Sequence, residues 1–98
     1  MRFTWDERKN AGNFAKHGVS FERAALVFGD PRALSLPDDY ELEERWLTIG
    51  LVNGVVVLVV VHTLWVPDNE DDEEIRIISA RKATRREREI YESGRQKP

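Results

Sequence analysis

Asn53-Gly54 separates two runs with the character of β-strands, and this pair limits the possible folds more than any other feature of the chain. Both residues tolerate the positive φ angles of a type I′ turn, whose twist matches that of an antiparallel hairpin. Upstream, residues 45–52 alternate. Arg45, Leu47, Ile49 and Leu51 fall on one face, and Trp46, Thr48 and Gly50 on the other. Downstream, residues 55–61 are almost wholly β-branched and apolar on both faces, the pattern of an interior strand.

The flanking segments supply the other elements. Residues 2–5 alternate as a brief edge strand does. Asp6 is placed as the N-cap of a helix running to about Lys16, with Phe14 and the aliphatic part of Lys16 expected against the sheet. Gly18 can take the left-handed conformation that stops a helix. Ser20 caps a second helix, which places Phe21, Ala24, Ala25 and Phe28 on one face. Gly29-Asp30-Pro31 breaks it. Residues 33–36 and 75–80 read as strands, and Thr84 and Glu87 form a T-x-x-E capping box that opens a final helix. That helix places Glu87, Ile90 and Tyr91 on one face and ends near Gly94, leaving 95–98 as a frayed tail. The expected fold is α+β: one domain over residues 1–98, a mostly antiparallel sheet, two N-terminal helices and one C-terminal helix.

With 98 residues and no cysteine, neither disulfides nor a thiolate metal site can hold this core together. The longest apolar run is far short of the roughly 20 residues that span a bilayer. The polar start of the chain shows no secretory signal, so a cytoplasmic protein without membrane contact is expected. The net charge of −3 hides strong segregation. Residues 1–29 carry +2, residues 30–74 carry −10 and residues 75–98 carry +5. Two acidic blocks, 38–44 and 68–74, account for most of the middle. They are expected to lie away from the basic segment.

That segment is the most informative chemically. Arg81, Lys82, Arg85, Arg86 and Arg88 crowd the N-terminal end of a helix, where the dipole disfavours cations. Free backbone N–H groups, the positive dipole end and guanidinium forks together suit a phosphate. The plainer reading is a solvated helix with Arg85–Glu89 and Arg88–Glu92 pairs. His62, at the end of the apolar strand, suits proton transfer near neutral pH or a purely structural role. His17 complements a helix C-terminus. Arg45 and Glu44 are adjacent in a strand and so project to opposite faces. No metal, phosphate-loop or dinucleotide pattern is present, so any catalysis is expected to be free of metal and cofactor and to rest on acid–base and electrostatic effects.

Three stretches together resemble the BrnT family of toxins. The first is Phe3-Thr4-Trp5-Asp6 with Lys9, Asn13 and the run from Lys16 through Glu22. The second is Glu44-Arg45-Trp46 through Ile49-Gly50. The third and most specific is residues 75–88, IRIISARKATRRER, followed by Tyr91. One departure from the family pattern follows His62-Thr63, where Leu64-Trp65-Val66-Pro67 leads into the acidic stretch. The resemblance implies a RelE-like fold and an endoribonuclease that arrests translation by attack of a ribose 2′-OH on the adjacent phosphate. It also implies neutralisation by a BrnA-type antitoxin, in an assembly of two toxins and two antitoxins that meets operator DNA only through the antitoxin. Within the matching region, His62 is expected to transfer protons, with Lys9 and Arg45 as supporting cations and Glu44 as the reserve base. Arg81 is expected to stabilise developing charge, and Arg76, Lys82, Arg85 and Arg86 to bind RNA phosphates. The alternative is a non-catalytic module that meets an antitoxin or nucleic acid through the same basic end.

Overall fold

A computed structural model describes residues 1–66 and 73–94. The elements follow in the order β1 (Arg2–Thr4), α1 (Glu7–His17), α2 (Phe21–Ala24), a 3-10 segment (Ala25–Gly29), β2 (Leu34–Pro37), β3 (Trp46–Val52), β4 (Val56–Trp65), β5 (Glu74–Lys82) and α3 (Arg85–Gly94). The sheet order is β1-β5-β4-β3-β2, so the apolar β4 is central. β2, β3, β4 and β5 pair antiparallel in turn, while β1 joins β5 in parallel, which makes the sheet mixed. The expected tail at 95–98 and most of the second acidic block lie outside the described residues.

Local chemistry accounts for the element boundaries. Asp6 accepts from the backbone N–H groups of Arg8 and Lys9, and Gly18 ends α1 at φ 71°. Ser20 accepts from the Arg23 N–H, but only one α-helical turn follows before the chain tightens into the 3-10 segment. That tightening buries Val27, a residue outside the expected apolar stripe. Asn53 and Gly54 both have positive φ, 53° and 69°, and Val55 N–H closes the turn on the Val52 carbonyl.

The sheet divides two cores. On one face Val52, Leu58, Val60, Ile75, Ile77 and Ala80 pack with Val19, Phe21, Ala24 and Val27 from the N-terminal helical layer. On the other, Ile49 and Val59 pack with Ala83 and Tyr91, which brings α3 over the hairpin end of the sheet. Gly50 lets the helical layer approach: a Cβ there would lie 3.0 Å from Val27 Cβ and 3.1 Å from the Val27 carbonyl oxygen.

The inner side of α1 differs from expectation. Phe14 points to solvent, 58 % exposed, and two asparagines take the inward positions. Buried Asn10 accepts from the Phe21 N–H and donates to Glu22. Asn13 receives the Ala80 N–H and donates to the Ala80 carbonyl, filling the ladder position that β1 is too short to reach. A phenylalanine at either position would leave backbone polar groups of the sheet edge or of α2 unpaired, at a cost of about 1–3 kcal/mol each.

Candidate active site

Five positions separate Arg76 from Arg81, so on a regular strand they would point to opposite faces. β5 is not regular. Its register against β4 steps from Val61↔Ser79 to His62↔Ile77, leaving Ile78 as an extra residue. This bulge reverses the alternation. Ile75, Ile77 and Ala80 all reach the helix-covered core, which places both Arg76 and Arg81 on the opposite face. Arg45 precedes Leu47 in the alternation of β3 and falls on that face too, since Leu47 and Leu51 pack there. α3 covers only part of this face, so three arginines share one sheet surface.

Glu43 organises two of them. Its Oε2 accepts from Arg45 Nε at 3.2 Å and Nη2 at 3.0 Å, and its Oε1 accepts from Arg76 Nη2 at 2.6 Å. The Arg45 guanidinium also lies over the Tyr40 ring, 3.6 Å from its centroid, a cation–π contact. The side chains of Arg45, Glu43 and Arg76 are 20 %, 36 % and 47 % exposed, so the carboxylate is held in place yet open to solvent. The first acidic block therefore reaches the basic segment instead of standing apart from it. Among the described residues, Nη1 of Arg45 and Nε and Nη1 of Arg76 have no protein acceptor.

Arg81 is committed differently. It makes a fork-to-fork pair with Glu87, Nη1–Oε1 2.6 Å and Nη2–Oε2 2.8 Å. Glu87 also accepts the Thr84 N–H while Thr84 Oγ1 accepts the Glu87 N–H, the reciprocal capping box. Arg81, chiefly by hydrogen bonding, holds the Glu87 carboxyl down to about 2, and Glu87 raises the already high pKa of Arg81. This pair ties the end of β5 to the start of α3.

His62 faces the helical layer and is 4 % exposed. Its Nε2 meets Thr48 Oγ1 at 2.7 Å, Thr48 meets Ser35 Oγ at 2.8 Å, and Phe28 packs edge-on against the imidazole. Burial lowers its pKa, against a smaller opposing effect of the Thr63 carbonyl. The ring and the arginine surface lie on opposite faces of the sheet. The remaining expected residues disperse. Lys9 is exposed on α1 with no bond to the arginines. Lys82, paired with Leu58, falls on the helix-covered side of its strand end and is exposed. Arg85 is solvated and reaches Glu89 at 3.5 Å, Arg86 is exposed, and Arg88 donates to the Ala83 carbonyl. Glu43 and Tyr40 carried no functional expectation; the nearest signal was that Glu43 shares the alternation of Arg45. Among the described residues, no group of three or more His, Cys, Asp or Glu gathers as metal ligands would.

Residues 5–87 match the family model for the ribonuclease toxin BrnT of type II toxin–antitoxin systems. No curated protein matches the sequence significantly. Among solved structures, the Brucella abortus ribonuclease toxin BrnT superposes with a TM-score of 0.59 at 26 % identity. The alignment covers 87 % of this chain and 99 % of that one.

Proposed function

The chain belongs to the BrnT family of ribonuclease toxins of type II toxin–antitoxin systems, and from that premise we propose that it is a cytoplasmic, metal-independent endoribonuclease using the arginine-bearing sheet face. The observation that carries the reading is the gathering of Arg45, Arg76 and Arg81 on one face by the bulge at Ile78. Cleavage of RNA by its own 2′-OH builds charge on the phosphate, and prepositioned guanidinium N–H groups stabilise that charge at little reorganisation cost. Arg45 and Arg76 have N–H groups to spare for a phosphate. Arg81 shapes the other end of the face from its pair with Glu87, and Lys82, Arg85 and Arg86 extend the positive field toward the rest of an RNA strand. Lys9 contributes to the same field from α1. A mixed sheet with the N-terminal helical layer on one face, and α3 beside a cationic surface on the other, is also what supports the RelE-like reading.

His62 has a different part in this reading. Sealed between Phe28 and Thr48, its ring holds β3 to β4 and does not meet RNA. The partner that silences such a surface is a BrnA-type antitoxin, in a complex of two toxins and two antitoxins whose contact with operator DNA runs through the antitoxin. The full engagement of Arg81 by Glu87 favours one competing reading, a module that binds RNA or antitoxin without turnover. Incubating the purified chain with total RNA, with and without EDTA, separates the two. Fragmentation that survives chelation supports the enzyme. Binding with intact RNA supports the module, and fragmentation abolished by EDTA removes metal independence.

A further inference from the structure

The reaction proposed above needs a group to take the proton of the attacking 2′-OH, and that group must sit beside the phosphate-binding N–H groups. The 2′-oxygen attacks the phosphorus on the neighbouring 3′-oxygen, so its proton leaves within a hydrogen bond or two of the non-bridging oxygens. A base remote from the guanidinium groups cannot serve both ends of this geometry.

Most acceptors fail on placement. His62 is buried behind the sheet. Glu87 spends both oxygens on Arg81 and one also on the Thr84 N–H, and its pKa of about 2 makes it a poor base. Glu44 is exposed and bonds to none of the arginines. Glu43 satisfies the geometry. Oε2 takes both Arg45 bonds and Oε1 takes one bond from Arg76, which leaves Oε1 a lone-pair direction for a further proton. The unpaired Nη1 of Arg45 and Nε and Nη1 of Arg76 flank it.

The geometry points to Glu43 as the general base of the cleavage, with Arg45 and Arg76 as its phosphate-binding partners and Tyr40 as the positioning residue that fixes the Arg45 plane. The inference rests on the ribonuclease reading and deepens it. Glu43 accepts the 2′-OH proton as the 2′-oxygen bonds to phosphorus. The bond from phosphorus to the 5′-oxygen breaks, and solvent water protonates that oxygen. The products are a 2′,3′-cyclic phosphate end and a 5′-hydroxyl end, and Glu43 returns its proton to solvent.

The test compares the wild-type chain with Glu43→Gln and Glu43→Asp, using a mixed-sequence single-stranded RNA across pH 3–9, which spans the range where side-chain carboxylates change charge. Glu43→Gln is expected to slow cleavage at least about a hundredfold, the low end of what a general base contributes. It should also lose the acid-side limb of the rate profile and bind the same RNA as tightly as wild type or tighter, since a negative charge beside two arginines is gone. Glu43→Asp keeps the carboxylate one methylene short and is expected to retain the acid-side limb at a reduced rate. Circular dichroism melts and RNA binding establish that both variants are folded. Cleavage by Glu43→Gln at or above the wild-type rate overturns the inference and makes Glu43 an internal competitor of phosphate. A Glu43→Gln protein that is slow but keeps the acid-side limb overturns it as well. Intact RNA with the wild-type chain sinks the ribonuclease reading itself, a result distinct from either.

Discussion

The Thr63 carbonyl can only accept a hydrogen bond, so His62 must donate from Nδ1, and a neutral ring then accepts at Nε2 from the Thr48 hydroxyl. Thr48 in turn accepts from Ser35. Protonating the imidazole turns Nε2 into a donor and forces both hydroxyls to reverse, inside a cage closed by Phe28. Burial keeps the folded-state pKa of His62 below its ordinary value of 6.5. Below that value the unfolded chain binds a proton that the folded chain refuses. Stability contributed by the neutral ring is therefore whole above about pH 6.5 and declines as pH falls toward the folded-state pKa, by at most about 1.4 kcal/mol per pH unit. Urea unfolding between pH 5 and 7.5 should show this slope in the wild type. His62→Gln should be less stable at pH 7.5 but nearly flat over the same range. Equal slopes in the two proteins would show that another group sets the dependence.

At the scale of elements, the legible parts of the fold were those decided by near neighbours. The Asn53-Gly54 turn, the Asp6 and Ser20 caps and the Thr84–Glu87 box each depend on residues within a few positions, and each forms. The bulge at Ile78 was hidden because it is a property of two strands aligned together, yet it decides which face Arg81 joins. Glu43 was hidden for a related reason. Within a run of acidic residues, nothing local marks the one that will meet Arg76 across 33 positions of chain. Phe14 turns outward despite its apolar character because the sheet edge needs a hydrogen-bond partner, which Asn13 supplies. The seating of the 3-10 segment on β3 is a similar long-range matter and can be tested directly. Gly50→Ala puts a methyl against both the side chain and the backbone of Val27, and a backbone does not yield as a side-chain tip does. A loss of about 1–3 kcal/mol, the usual cost of overpacking, should appear in equilibrium unfolding. An unchanged midpoint would mean the helical layer is free to lift.

For the molecule as a whole, charge segregation matters more than the net value of −3. A cationic sheet face on an acidic chain attracts an anionic partner while the rest of the surface turns it toward that face. Association with its antitoxin, proposed above to be of the BrnA type, should therefore slow as ionic strength rises, with the dissociation rate changing less. Stopped-flow mixing at several salt concentrations measures this, and a salt-independent association rate would place the interface on an uncharged part of the surface. The pairing of β1 with β5 carries a consequence in time. β1 leaves the ribosome well before β5, and the Arg2–Glu74 contact that marks its pairing spans 72 positions. Until residues 74–80 emerge, β1 has no strand to join, Asn13 has no Ala80 to hold, and Arg76 is absent from Glu43. Contacts so distant in sequence form slowly, because the closure entropy must be met before they return any energy. On the ribonuclease reading proposed above, a site whose Glu43 waits for Arg76 stays inert until β5 has been made, which spares the messenger and ribosome at work up to that point.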